Sequence, residues 1–163
     1  MKELYYQIIR FENHTYIVAA TKSGLAYVGL RDETLDDMSK FYPRARFIQD
    51  DERTNNYARE VKEYLAGDRT DFDLKIDISG TAFQESVWHA VAQIPYGQVS
   101  NYTKIAEKIN RPKAVRAVGT AIGRNPVPLV IPCHRVLAKN GSLGGYRGGL
   151  VMKKDLLHLE GIV

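Results

Sequence analysis

Near Ser79-Gly80 the apolar residues change period, and that change divides the chain into a β-like half and a helical half. Upstream, residues 5–11, 15–20 and 25–30 are short runs rich in aromatic and β-branched side chains, the composition that suits a pleated surface. Glu12-Asn13-His14 and Lys22-Ser23-Gly24 separate them as hairpin turns, which predicts a three-stranded antiparallel meander with His14 in a turn. Tyr57, Val61, Tyr64 and Leu65 then recur at helical spacing, and Gly67 supplies the stop. Residues 71–78 alternate apolar and polar, as an amphipathic strand or an extended connection would.

Downstream, Thr81-Ala82-Phe83-Gln84 matches a capping box, and Phe83, Val87, Ala90 and Val91 form one helical face. Ile94-Pro95-Tyr96-Gly97 ends that helix. A second helix is expected after a Ser100/Asn101 cap, with Ile105, Ala106 and Ile109 as its buried stripe. Asn110-Arg111-Pro112 forms a tight turn, and Pro112 falls where a third helix would place its first residue. That third helix carries Ala114, Ala117, Val118, Ala121 and Ile122 at helical spacing. A last helix runs through Met152, Leu156 and Leu159 to Glu160, just before Gly161.

The expected fold class is therefore α+β. A small β-rich N-terminal domain over 1–79, antiparallel sheet plus helix, precedes a mainly helical C-terminal domain over 80–163 with a helix-turn-helix. Charge follows the same division. Residues 1–79 hold 12 Lys and Arg against 15 Asp and Glu, whereas 80–163 hold 11 against 4, so the C-terminal half meets the anion. Nucleic acid leads as that partner, with a solvated basic surface as the plain alternative. The third helix joins Lys113, Arg116 and Arg124 to an Ala/Gly-rich face that would let its axis approach a ligand closely. No apolar run reaches the length of a membrane span, the N-terminus lacks a signal peptide's apolar core, and a cytoplasmic protein is expected.

Cys133 is the only cysteine, so it cannot close an internal disulfide and is a poor start for a zinc site. It is either an inert buried thiol or a nucleophile. Its surroundings favour the second. Residues 125–132 form a stiff apolar arm with three prolines, His134 follows directly, and residues 141–149 are a glycine-rich loop whose backbone can approach a ligand. A cysteine hydrolase would need an oxyanion hole and usually a more distant histidine. A pure DNA-binding regulator would leave Cys133 as packing.

Residues 81–161 resemble the O6-alkylguanine-DNA alkyltransferases, or methylated-DNA–protein-cysteine methyltransferases. The resemblance rests on Phe83-Gln84, Tyr96-Gly97, the 112–119 segment, Asn125-Pro126-Val127-Pro128, Pro132-Cys133-His134-Arg135-Val136, Gly145-Tyr146-Arg147-Gly148-Gly149-Leu150 and Leu159-Glu160-Gly161. It implies DNA repair in which Cys133 takes the alkyl group from a flipped-out O6-alkylguanine, with O4-alkylthymine a second candidate substrate, and keeps it. Alkyltransferase-like relatives that bind lesions without repairing them lack this cysteine.

By the same resemblance, His134 is the base acting through a bridging water and Glu160 the carboxylate that orients it. Asn125 braces the turn, and Tyr102 contacts the flipped nucleotide and helps protonate the departing base. Arg116 is the finger that fills the vacated stack, with Ala117 on the contact face of a helix presented to the minor groove, and Lys113 and Arg124 meeting phosphates. Val136, Tyr146 and the backbone of Arg147 wall the base pocket, where the carbonyls of Cys133 and Val136 read the exocyclic amine. No cofactor and no metal are expected, because the zinc some members hold in the N-terminal domain uses cysteines absent from 1–79. The expected partner is alkylated double-stranded DNA, bound by a monomer, with no membrane.

Overall fold

The computed structural model describes residues 1–162. The chain separates into two compact units, residues 1–78 with Pro126–Pro128, and Ser79–Asn125 with the residues from Leu129 onward.

In the first unit, β1 (Glu3–Phe11), β2 (His14–Ala20) and β3 (Leu25–Val28) form the expected antiparallel meander. His14 opens β2 rather than sitting in the turn, and Glu12 takes the left-handed conformation there (φ 54°). The sheet is larger than the meander. Helix α1 (Leu35–Phe41) and strand β4 (Arg46–Gln49) follow, and β4 pairs parallel to β1, giving the order β3-β2-β1-β4. Helix α2 (Asp51–Leu65) comes next, capped by Asp50 and closed by Gly67 (φ 81°).

Strand alternation assigns the two faces. Leu4, Ile17, Ala19 and Tyr27 pack with Met38 of α1, while Gln7 donates to Thr54 Oγ1 (2.8 Å) on α2. Each fully buried Leu, Ile or Met contributes roughly 1.5–3 kcal/mol, so this double cover supports the small sheet. Residues 71–78 run extended, with Leu25 N donating to Lys75 O (2.9 Å) and Asp77 N to Leu25 O (2.7 Å). Gly24 makes that approach possible, since a Cβ there would lie 2.7 Å from Lys75 O.

The second unit contains α3 (Ala82–Ala92), α4 (Tyr102–Lys108), α5 (Val115–Gly123) and α6 (Leu150–Leu159). Thr81 and Gln84 make the reciprocal capping box, and Asn101 caps α4 by accepting from Lys104 N (2.8 Å). The Trp88 indole donates to Ala121 O (2.8 Å), tying α3 to α5. Pro112 is not the first residue of α5. Pro112 and Lys113 stay in the turn, Ala114 is the N-cap, and the helix begins at Val115. Its buried stripe is accordingly narrower than the spacing suggested, Val118, Ala121 and Ile122, with Ala117 exposed. A two-stranded parallel pair, β5 (Ser100–Asn101) with β6 (Val136–Leu137), joins the start of α4 to the chain just beyond Cys133.

Candidate active site

Cys133 begins a single 3-10 turn, Cys133–Arg135, with Cys133 N donating to Ile131 O (2.8 Å) and Arg135 N to Pro132 O (2.9 Å). The turn explains how adjacent residues serve different neighbours, because side chains about 120° apart around a 3-10 axis diverge. The His134 ring is fully buried, and its Nε2 lies 2.7 Å from Glu160 Oε2. A carboxylate only accepts, so the neutral ring carries its hydrogen on Nε2 and Nδ1 is its basic nitrogen. Burial pushes the imidazole below its ordinary pKa against the opposing pull of Glu160.

Glu160 is held by more than His134. Its Oε1 accepts from Arg135 Nε (2.8 Å) and Gly97 N (3.1 Å), and its Oε2 also accepts from Arg135 Nη2 (3.0 Å). Arg135 spends its remaining nitrogen on Ile94 O (2.6 Å), and its guanidinium lies 5.6 Å from the Tyr96 ring centroid. A bidentate fork with further donors is the geometry in which a buried ion pair offsets its desolvation.

Around the sulfur, Asn125 is buried and donates from Nδ2 to Ile131 O (2.9 Å), while its side chain also hydrogen-bonds the thiol. Burial raises the Cys133 thiol; that bond and the charges of Arg147 and Lys153 oppose it. Arg147 Nη1 donates to Asn125 O (2.7 Å). Lys153 is fully buried on α6 and donates to Val136 O (2.7 Å), Gly145 O (3.0 Å) and Leu143 O. Desolvation brings its ammonium down to about 8.

Tyr102, the first residue of α4, packs between glycines. A Cβ at Gly119 would lie 3.9 Å from its ring, and one at Gly144 (φ 71°) 3.0 Å from its hydroxyl, which hydrogen-bonds the Gly145 backbone. Burial raises the phenol above its ordinary value. Tyr146 is half-buried in the same loop, and Val136 is fully buried in β6. The two carbonyls expected to read a base already accept once each, Cys133 O from Val136 N and Val136 O from Lys153. Each has a second lone pair for another donor.

The structure thus gathers Cys133, His134, Glu160, Asn125, Arg147 and Val136 around one turn, with Tyr102 and Tyr146 against the glycine loop. Arg116 and Ala117 are exposed on α5, Lys113 is exposed in the turn before it, and Arg124 is exposed at its C-cap. Two residues with roles in this geometry were not singled out from the sequence. Arg135 stood in the quoted Pro-Cys-His-Arg run, whose basic residue beside a histidine is the available signal. Lys153 has none beyond its place between Met152 and Leu156 on a buried face. Among the described residues no group of three or more His, Cys, Asp or Glu could hold a metal ion, and no helix is long and apolar enough to cross a membrane.

Comparison with known proteins gives the class first. The profile described as "6-O-methylguanine DNA methyltransferase, DNA binding domain" matches residues 82–162. The chain is similar to the inducible methylated-DNA–protein-cysteine methyltransferase of Bacillus subtilis, 45% identical over 96% of this chain and 90% of that protein. It is also similar to the Methanosarcina acetivorans methylated-DNA–protein-cysteine methyltransferase, 39% identical over 97% of this chain and 99% of that one. Among solved structures, Mycobacterium tuberculosis OGT in complex with DNA superposes with a TM-score of 0.84 at 36% identity, covering 96% of this chain and 92% of that one. The chain belongs to the methylated-DNA–protein-cysteine methyltransferase family.

Proposed function

We propose that this protein repairs DNA by direct damage reversal, transferring the alkyl group of O6-alkylguanine in duplex DNA to Cys133 once per chain. The observation that carries this reading is the buried Cys133 beside a His134–Glu160 pair 2.7 Å apart, in a chain of this family. A thiolate is a soft nucleophile suited to an sp³ carbon, but burial disfavours the charged form here. Activation therefore has to coincide with transfer. His134 Nδ1, acting through a bridging water, takes the thiol proton, and Glu160 stabilises the imidazolium. The sulfur forms its bond to the alkyl carbon as the C–O6 bond breaks, and that electron pair stays on the guanine. Tyr102 hydrogen-bonds the departing base, which takes up a proton equal to the one lost by sulfur. The product thioether is a poor leaving group, so the step is irreversible.

The reading assigns 80–163 as the alkyl-acceptor and DNA-binding domain and 1–79 as a β-rich companion. Helices α4 and α5 act as a helix-turn-helix presented to the minor groove, where Arg116 replaces the extruded base and offsets part of a few kcal/mol of unstacking. The exposed small side chain of Ala117 supports close approach, and Lys113 and Arg124 meet phosphates. Asn125 braces the turn, and Tyr146 and the Val136 backbone wall the base pocket. O4-alkylthymine is a second candidate substrate. The residues assigned to the reaction all come from one chain, and the reading takes the protein as a cytoplasmic monomer.

The test is intact-protein mass after incubation with a duplex carrying one O6-methylguanine, followed by peptide mapping. One methyl on Cys133, saturating at one per chain with guanine restored, establishes the reading. Tight lesion binding with no mass change makes the protein a recognition factor instead.

A further inference from the structure

The glycine loop at 141–149 contains one charged residue, Arg147, and its guanidinium turns inward. Nη1 donates to the carbonyl of Asn125, the residue whose amide hydrogen-bonds the Cys133 sulfur. We propose that the Arg147 side chain, beyond any contribution of its backbone to the pocket, is a positioning residue for the acceptor: it braces Asn125 and holds a permanent positive charge beside the sulfur that becomes thiolate. The inference rests on the alkyl-transfer reading and deepens it, because it divides activation between a proton acceptor and a fixed charge.

Permanence singles out Arg147 for that charge. Lys153 also lies near the sulfur, but its ammonium, which donates to the carbonyls of Val136, Leu143 and Gly145, loses its proton near pH 8. A guanidinium keeps its charge throughout that range. The titratable and charged groups around Cys133 are Tyr102 from α4, Tyr146 and Arg147 from the loop, Lys153 and Glu160 from the last helix and its C-cap, and His134 and Arg135 from its own turn. Helix α3 also packs on that turn, and its buried residues Val87, Trp88, Ala90 and Val91 do not titrate. In the transfer step no atom passes to or from Arg147. It stabilises the thiolate formed when the proton leaves and is released from that duty once sulfur bonds to carbon.

The experiment uses the whole protein with Arg147→Gln, which carries no charge and whose amide ends short of the Nη1 position, and Arg147→Lys, which keeps charge without the planar fork. Because Cys133 is the only cysteine, thiolate absorbance against pH, blanked with Cys133→Ser, reads this sulfur alone. Maximal transfer rate from free O6-benzylguanine is followed across the same pH range. Arg147→Gln should move both profiles upward by about one pH unit, making transfer roughly tenfold slower at neutral pH. Arg147→Lys should recover most of the loss. Superimposable profiles for Arg147→Gln and the parent protein overturn the proposal, including the case in which only duplex affinity falls, which would assign the arginine to phosphate. A parent protein that transfers nothing while its thiolate titration still responds to Arg147 would instead sink the alkyl-transfer reading.

Discussion

The Nε2 of His134 and the Oε2 of Glu160 stand 2.7 Å apart with both side chains wholly buried, and the same carboxylate holds Arg135 in a two-pronged grip. Removing that carboxylate's charge strands a buried guanidinium as well as freeing the imidazole. Glu160→Gln should therefore lower stability by about 3–5 kcal/mol in urea unfolding. At temperatures where the variant remains folded, single-turnover transfer should still fall more than tenfold. A fully stable but inactive variant would show that Arg135 finds another partner.

Acid should weaken the protein through His134. Its folded pKa lies below the ordinary value, so the unfolded chain binds the proton more tightly. The stabilisation is complete above the unfolded value of about 6.5 and is lost as pH falls from there through the lower folded value. Urea midpoints for the parent protein should drop between roughly pH 7 and 5, and His134→Gln should flatten that decline. An equal decline in both would place the acid-sensitive group elsewhere.

Cys133→Ser should abolish transfer and leave binding to lesion-containing duplex intact. Mass spectrometry and a gel-shift titration on one preparation test both halves. Residual methyl transfer would remove Cys133 from its assigned role.

Arg116→Ala should slow repair in duplex DNA far more than transfer from free O6-benzylguanine, because only the duplex requires a base to leave the stack. Comparable losses with both substrates would assign Arg116 to folding or to the pocket. Duplex binding should also weaken as salt rises, through release of counterions from phosphate contacts.

Lys153→Met removes one buried donor from three backbone carbonyls. Hydrogen exchange across residues 141–149 should quicken, and thermal unfolding should move to lower temperature, since a hydrogen bond to a charged group contributes about 1.5–3 kcal/mol. Unchanged protection in that loop would show that Tyr102 and the Arg147–Asn125 bond hold it in place without Lys153.

Much of this arrangement was legible before any coordinates. The meander, the Thr81 and Asn101 caps and the Gly67 stop follow from local chemistry, and the structure forms them within a few residues of the expected positions. Family motifs pointed to the residues now gathered around the Cys133 turn, although the resemblance supplied their roles. What escaped depends on distant partners. Strand β4 has four residues, none fully buried, and exists because β1 offers it a free edge. Helix α1 carried a readable signal in Thr34 and Asp37, where aspartate replaces the usual Glu or Gln of a capping box. Lys153 was invisible because no periodicity announces a lysine whose ammonium is met by carbonyls from two other segments. Helix α5 begins three residues beyond Pro112 because a proline fits a turn as readily as a first helical position.

The grip on Glu160 also has a meaning for the order in which the protein comes into being. Three stretches far apart in sequence meet at one carboxylate, Ile94 to Gly97, His134 to Arg135, and the C-cap of α6. A growing chain on the ribosome exposes Cys133 and His134 well before it can supply Glu160. Until that residue emerges and docks, the imidazole has no fixed orientation and the thiol no organised base. The base that serves Cys133 is thus completed only when the last helix of the chain is in place.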